Sequence, residues 1–274
     1  MTRTLEQSIL APKMIECPTP DAATLDQFWA DGWVVIPDVL SGQEIDEARS
    51  ALVDAAAASE AQGMPVRLEA LDPGGRNIRV YDLVAHARVF AELSEHPAVL
   101  PTVEALLGND VILSNFTANT ALPGSGSMNP HCDQSTVMPE PWNETWAMNA
   151  IWCLHDIDEE NGATRYLPGS HEFTAFDQVP DDPTIGMASF EASAGSVVLL
   201  HGRLWHTSGE NRSAERDRAL LFAFYTRGFL RPQTNWWRSL SEEVVEQLSP
   251  RVRALCGLDF GNIAHGDYLA DWTR

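Results

Sequence analysis

Residues 195–226, GSVVLLHGRLWHTSGENRSAERDRALLFAFYT, decide the fold class. Residues 196–200 form a short apolar run, residues 218–226 form a longer one, and the segment between them is rich in glycine and polar residues. Short runs rich in β-branched and aromatic residues, bounded by turn residues, are typical of β-strands. The first run has no polar residue after Ser196, which predicts a strand buried on both faces.

Similar apolar runs precede this stretch and are separated by sequences that favour turns. The runs cover residues 111–122, 145–157 and 163–167, and the turns are PGSG at 123–126, EENG at 159–162 and PGSH at 168–171. Several short strands at this spacing predict a sandwich or a jelly-roll barrel. We therefore expect a mainly β fold with a barrel core over about residues 110–230.

Helices are expected before the barrel. One begins near Thr24 and stops at Gly32, and a second follows the capping-box sequence SGQE at 41–44, in which the serine and glutamate satisfy each other's backbone N–H groups. Residues 89–107 are expected to be helical with a break near Pro97.

The chain is expected to form one domain. Residues 1–20 contain three prolines and are predicted to be a flexible arm, followed by a single domain over residues 21–274. A final amphipathic helix is expected over residues 241–256.

The composition excludes several classes of partner. The 274 residues include 18 Lys and Arg against 39 Asp and Glu, a net charge of −21. A surface this acidic repels phosphate backbones and anionic lipids, so we expect no nucleic-acid partner and no membrane association. The four cysteines lack metal or redox spacing, and residues 1–20 lack a secretory signal, so we expect reduced thiols and a cytoplasmic protein.

The segment NPHCDQ at 129–134 can carry metal chemistry. In a strand, His131 and Asp133 would project from one face and Cys132 from the other. One further histidine would complete a 2-His-1-carboxylate triad, which leaves three adjacent positions open on Fe(II). The triplet alone is a weak pattern, because His-x-Asp also occurs by chance in loops.

The downstream stretch supplies the third ligand candidate. His206 follows His131 by 75 residues, a separation that suits a barrel in which distant strands become neighbours. His201 is its rival and would lie on the opposite face of a continuous strand. Arg218 opens an apolar strand, where a buried guanidinium needs a carboxylate such as the distal carboxylate of 2-oxoglutarate. The alternative for Arg218 is a strand end that reaches solvent.

Three motifs together resemble the phytanoyl-CoA dioxygenase family of Fe(II)/2-oxoglutarate-dependent oxygenases. They are HCD at 131–133, ENGATRYLPGSH at 160–171 and WHTSGENR at 205–212. DGWVVIPDVLSGQEI at 31–45 resembles the family's opening, and the resemblance covers roughly residues 25–260. It implies a double-stranded β-helix, a jelly-roll or cupin-like barrel, with flanking N-terminal helices. The tail at 242–261 is similar to that of members that tailor natural products in secondary metabolism.

The resemblance also implies the metal site. His131, Asp133 and His206 match the family's iron ligands. Related halogenases carry a small residue in place of the carboxylate, so Asp133 favours transfer of oxygen.

Further residues match positions that bind 2-oxoglutarate. Arg218 matches the arginine that binds the distal carboxylate, with Arg216 as its rival, and Thr164 and Arg79 match further contacts. Relatives often carry glutamine where this chain has Met128, which removes one expected hydrogen bond to the co-substrate.

The implied activity uses Fe(II), 2-oxoglutarate and O₂. We expect an oxygenase that hydroxylates or otherwise oxidises an unactivated C–H bond of a small lipophilic metabolite, with release of succinate and CO₂. Trp142, Trp146 and Phe116 are expected to line the substrate pocket or to pack in the core. Two alternatives stay open, a barrel metalloenzyme that works without 2-oxoglutarate and a non-catalytic small-molecule binder. A homodimer is also considered.

Overall fold

The computed structural model describes residues 20–72 and 74–259. Residues 1–19 of the expected arm lie outside the described residues, as do residues 260–274. The helices of the described part are Ala22–Asp31 (α1), Gly42–Ala61 (α2), Arg88–Ser94 (α3), Leu100–Leu107 (α4), Trp236–Ser239 (α5), Glu242–Gln247 (α6) and Pro250–Leu255 (α7). The strands are Trp33–Ile36 (β1), Asn77–Val80 (β2), Ile112–Ala121 (β3), Ala147–Cys153 (β4), Arg165–Tyr166 (β5), Ala188–Ser189 (β6), Val197–His201 (β7), His206–Thr207 (β8) and Arg218–Thr226 (β9).

The strands form two antiparallel sheets. The larger sheet has six strands in the order β1-β7-β4-β9-β3-β2, and the smaller has three in the order β6-β5-β8. Strands distant in sequence are neighbours, as where Trp33 of β1 lies opposite Leu200 of β7. Four of the five strands expected over residues 111–226 correspond to β3, β4, β7 and β9, and the fifth, expected over residues 163–167, is the two-residue strand β5. The expected mainly β jelly-roll fold with N-terminal helices is confirmed.

Alternate residues of the central strands pack into two hydrophobic layers. In β4, Trp152 packs with the helices, whereas Ile151 packs in a second layer with residues such as Phe190. In β7, Leu199 packs in the layer with the helices and Val198 packs in the second layer. This alternation follows from the two-residue period of a strand. It confirms that β7 is buried on both faces.

The boundaries of the first two helices agree with the sequence. Gly32 ends α1 in the left-handed conformation at φ 78°, and its N–H donates to Phe28 O at 2.9 Å. Ser41 caps α2, because its hydroxyl accepts from Glu44 N at 3.3 Å while the Glu44 carboxylate accepts from Ser41 N at 2.8 Å. The capping box is therefore confirmed.

The C-terminal part differs from the sequence expectation. Residues 241–256 form the two short helices α6 and α7 rather than one. Pro250 has no N–H to continue a helix, and Leu248 is extended. Ser249 then caps the new helix by accepting from Val252 N at 3.0 Å. None of the helices between residues 20 and 259 is long and apolar enough to cross a bilayer.

Candidate metal centre and co-substrate cavity

Backbone hydrogen bonds join the two segments that carry His131 and His206. His131 N donates to His206 O at 3.0 Å, and His206 N donates to His131 O at 2.8 Å. His131 thus lies in an isolated β-bridge rather than in a longer strand. Asp133 begins a short 3₁₀ turn, Asp133–Thr136.

The three candidate ligands converge on one point. Asp133 Oδ1 lies 3.8 Å from His131 Nε2 and 3.9 Å from His206 Nε2. One ligand atom of each residue lies within 4.8 Å of a ligand atom of the other two. Among the described residues, no other group of three or more His, Cys, Asp or Glu residues converges in this way. Two imidazoles and a carboxylate on one side of an ion are the donor set that suits non-haem Fe(II). The residues present therefore fit the iron.

Both imidazoles are oriented through their other nitrogen. His131 Nδ1 lies 3.0 Å from Asn129 O, and His206 Nδ1 lies 2.9 Å from Leu204 O. A carbonyl can only accept, so in the neutral form of each ring Nδ1 carries the proton and Nε2 has a free lone pair facing Asp133. Burial, followed by the neighbouring His131, lowers the pKa of His206. The neutral form with a free Nε2 is the form that binds a metal.

Asn149 holds the second oxygen of Asp133, a contact that sequence reasoning missed. Its Nδ2 donates to Asp133 Oδ2 at 2.8 Å, which leaves Oδ1 facing the two histidines. The available signal was one amide within the otherwise apolar strand AMNAIWC. Such contacts orient a ligating carboxylate.

Cys132 lies on the side of the segment away from the candidate ligands. It packs in a small hydrophobic cluster with Trp142 and Trp205. Burial raises the pKa of its thiol to about 11, so the thiol is protonated at neutral pH. The expected opposite orientation of Cys132 agrees with this packing.

Arg218 is a buried cation without a carboxylate partner among the described residues. It is 1% exposed, its Nη1 donates to Gly162 O, and its Nε is buried without a hydrogen-bond partner. Burial, followed by the charge of Arg79, lowers its pKa to about 10, so it is still charged at neutral pH. The backbone at Gly162 requires glycine for two reasons: its φ is 89°, and an added Cβ would lie only 2.8 Å from Gly209 O.

The rival Arg216 lies at the surface. Its guanidinium is paired with Asp158 and Glu160, each with a closest N···O distance of 2.6 Å. Its side chain is 43% exposed. The charge of Arg216 is therefore already neutralised. Arg216 also does not line the cavity that contains the three candidate ligands and Arg218.

Thr164 and Arg79 both line the cavity beside the triad. Thr164 is 4% exposed, and its hydroxyl forms no hydrogen bond within the described residues. Arg79 pairs with buried Asp72, at 2.5 Å from Nε to Oδ2 and 2.7 Å from Nη2 to Oδ1. Arg79 Nη2 also lies 3.1 Å from the sulfur of Met128.

The rival histidine His201 lies elsewhere. Its Nδ1 accepts from Arg203 N at 3.0 Å, so its Nε2 carries the proton and donates to Thr145 Oγ1 at 2.8 Å. Burial lowers its pKa to about 3. The structure places His206, not His201, beside Asp133.

The aromatic residues considered for the substrate pocket do not line it. Phe116 is fully buried in the layer that packs with the helices, because it points away from the face of β3 that carries Asn115 and Thr117. Trp142 is fully buried in the cluster with Cys132, and Trp146 packs beside that cluster. Of the two alternatives left open by the sequence, the structure supports packing for all three residues.

The cavity has a volume of about 280 Å³. The three candidate ligands, Thr164 and Arg218 all line it. Its other walls include Asn115, Thr117, Asn119, Phe222, Phe224 and Gln233. A larger cavity of about 460 Å³ beside Trp236 contains no group of metal-ligating side chains from the described residues.

Residues 28–219 match the family model for phytanoyl-CoA dioxygenase. The chain belongs to this family. A relative from Aspergillus fumigatus, dioxygenase af480, is 45% identical over 242 residues, which cover 87% of this chain and 78% of the relative. Dioxygenase cdmA from Talaromyces verruculosus is 23% identical over 272 residues, 93% of this chain and 89% of that protein.

Solved structures of lower identity share the fold. SnoN, described as a non-haem α-ketoglutarate-dependent epimerase from nogalamycin biosynthesis, superposes with a TM-score of 0.61 at 24% identity, covering 75% of this chain and 84% of SnoN. HygX from Streptomyces hygroscopicus, solved with nickel and 2-oxoglutarate bound, gives 0.60 at 21% identity, covering 77% and 89%.

Family membership defines the enzyme class. The chain is a non-haem iron, 2-oxoglutarate-dependent dioxygenase, and its cofactors are Fe(II), 2-oxoglutarate and O₂.

Proposed function

We propose that this enzyme hydroxylates, or otherwise oxidises, an unactivated C–H bond of a small and mainly lipophilic metabolite, with release of succinate and CO₂. The observation that carries the proposal is one cavity that joins the His131–Asp133–His206 cluster to the unpaired buried cation of Arg218. An enzyme that did not bind an anion beside its metal would gain nothing from that buried charge.

In this proposal His131, Asp133 and His206 hold the iron. Each contributes one atom, so the ion keeps positions for the co-substrate and for O₂. Iron held there would let O₂ serve as the oxidant: one oxygen atom would enter succinate as 2-oxoglutarate loses CO₂, and the other would enter the substrate. Because Asp133 supplies a carboxylate where related halogenases have a small residue, we assign oxygen transfer rather than halogen transfer.

Arg218 and Thr164 bind 2-oxoglutarate in this proposal. The Arg218 guanidinium pairs with the distal carboxylate through its unpartnered Nε and its remaining N–H groups. The Thr164 hydroxyl donates a hydrogen bond to the same ligand. Arg79 is a further contact, although Asp72 already neutralises much of its charge and leaves Nη1 available.

The outer walls of the cavity select the substrate. Phe222 and Phe224 present aromatic surface from β9, and Asn115 faces them from the inner side of β3. Asn115 Nδ2 donates to Gln233 Oε1, which leaves one amide oxygen and one amide NH₂ group of this pair free for a ligand. We therefore propose a mainly apolar substrate that also carries a hydrogen-bonding group.

The proposal is tested by spectroscopy and kinetics. Anaerobic addition of Fe(II) and 2-oxoglutarate should give the weak visible charge-transfer band of the chelate, and His131→Ala should abolish it. An unchanged band in His131→Ala would remove His131 from the metal site. Turnover without succinate release would support a metalloenzyme independent of 2-oxoglutarate, and absence of bound metal would support a non-catalytic binder.

The two arginines provide a matched pair of variants. Arg218→Ala should raise the apparent KM for 2-oxoglutarate by more than tenfold, because a buried charged pair contributes on the order of 2–5 kcal/mol. Arg216→Ala should leave it within about threefold, since Arg216 forms surface ion pairs worth roughly 0–1 kcal/mol. A shift below threefold for Arg218→Ala would transfer the role to Arg216.

A further inference from the structure

Asn119 is a buried amide in the wall of the co-substrate cavity, and it has no hydrogen-bond partner among the described residues. The residue is 3% exposed, and its Oδ1 is fully buried and unpartnered. Its Nδ2 also forms no hydrogen bond within the described part of the chain. Buried polar groups are nearly always paired, and an unpaired one destabilises the folded state.

Asn119 lies between the two arginines of the cavity. It is opposite Arg79 of β2 and opposite Leu220 of β9. Arg218 pairs with Ala121, two residues further along β3, so Asn119 and Arg218 are diagonal neighbours on the same face of the sheet. Both line the cavity, and both carry an N–H donor without a partner among the described residues, Asn119 Nδ2 and Arg218 Nε.

No neighbour in the described chain satisfies this amide. Arg79 directs two of its nitrogens to Asp72, and Arg218 directs Nη1 to Gly162 O. Met128, which lines the same cavity, has no side-chain N–H to offer a ligand. A ligand rich in acceptor oxygens would satisfy the donors of Asn119 and Arg218 together.

We propose that Asn119 donates a hydrogen bond to a carboxylate of 2-oxoglutarate, next to Arg218. The inference rests on the proposed function, because it places the co-substrate in the cavity that Arg218 lines. Asn119 is kept unpaired in the free enzyme so that its amide is available to the dicarboxylate. The bound carboxylate would give the Nδ2 donor an acceptor, whereas Asn119 Oδ1 is itself an acceptor and gains no partner from it.

The test is the affinity of the Mn(II)-loaded enzyme for 2-oxoglutarate, measured by calorimetry without O₂. Asn119→Leu, which has nearly the same size, should raise Kd roughly 10- to 100-fold, the effect of losing one charge-assisted hydrogen bond. The same variant without ligands should melt at an unchanged temperature or about 2–4 °C higher, because an unsatisfied buried amide has been removed.

Three further variants make the result decisive. Asn119→Ala repeats the test with a smaller side chain, and Thr120→Val alters the next residue of β3, which does not line the cavity, and should leave Kd unchanged. Arg218→Met should abolish measurable binding. An unchanged Kd in Arg218→Met would overturn the proposed co-substrate site itself.

Other outcomes would overturn the role of Asn119 alone. One is an unchanged Kd in both Asn119 variants while Arg218→Met loses binding. Another is a fall of more than about 4 °C in the melting temperature of both ligand-free Asn119 variants, or their failure to fold, because that result marks Asn119 as a support of the fold.

Discussion

The two carboxylate oxygens of Asp133 have different partners. Oδ1 faces the imidazoles of His131 and His206, and Oδ2 accepts from Asn149. A carboxylate held in this way offers one oxygen rather than two to an ion. Asn149 thereby helps to keep coordination positions open, which is what the reaction class requires.

Asn149→Leu should weaken metal binding. Loss of the hydrogen bond frees Asp133 to rotate, and contacts of this kind are worth roughly 10- to 100-fold in metal affinity. Titration of the enzyme with Co(II), followed by its visible absorption, measures Kd directly. Asn115→Leu is the control, since Asn115 lines the same cavity without touching Asp133. Equal Co(II) affinity in Asn149→Leu and the parent would contradict the role of Asn149.

His201 makes the folded state sensitive to acid. Burial lowers its pKa to about 3 in the folded protein, against about 6.5 in the unfolded chain. As pH falls below 6.5 the unfolded chain binds the proton first, so the free energy of unfolding decreases between pH 6.5 and pH 3. This one residue should account for about 2 kcal/mol of that loss at pH 5.

Urea unfolding at pH 6.5 and pH 5 checks the role of His201. His201→Gln can still donate to Thr145 and accept from Arg203 N without titrating, so its stability should change less between the two pH values. The difference between pH values, rather than absolute stability, is the quantity to compare. Identical losses in the variant and the parent would assign the acid sensitivity to other groups.

At the scale of single elements, the capping box of α2 contributes a measurable share of stability. Ser41→Ala removes the acceptor for Glu44 N and should destabilise the protein by about 1 kcal/mol. Thermal unfolding should show a decrease of about 2–4 °C. Ser41→Asp keeps an acceptor and should restore most of the loss. If Ser41→Ala has the same melting temperature as the parent, the stability of α2 does not depend on its cap.

Elements with strong local signals could be predicted from the sequence. The apolar run at 218–226 became β9 with the expected ends, and Gly32 and Ser41 set their helix boundaries as expected. The C-terminal helix was overextended because the amphipathic pattern continues across Pro250. The two-residue strand Ala188–Ser189 was missed because its existence depends on pairing with β5 rather than on its own residues.

The candidate site was predictable where one residue type implies one chemistry. His131, Asp133 and His206 belong to recognisable motifs, and Arg218 stands out as a charge in an apolar strand. Asn119 and Asn149 were not found, because the role of an amide depends on which residues the neighbouring strands place beside it. Phe116 was considered as a pocket residue for the same reason. The register of β3 decides which of its residues line the cavity, and Phe116 is on the opposite face.

At the scale of the whole molecule, ligand binding should be visible as stability. A ligand that binds the folded state at 100 times its Kd stabilises that state by about 2.7 kcal/mol. Mn(II) with 2-oxoglutarate, without O₂, should therefore raise the melting temperature by roughly 5 °C or more. His206→Ala should lose most of this shift. An equal shift in that variant would place the binding site elsewhere in the molecule.

The reciprocal backbone hydrogen bonds between His131 and His206 make the distance between these two side chains a property of the polypeptide itself. Treatment with a chelator should consequently leave both imidazoles in register and the enzyme ready to be reloaded. Recovery of activity on return of Fe(II) would then proceed at the pace of ion exchange, with no slow refolding phase, and the catalyst would tolerate repeated loss and replacement of its metal.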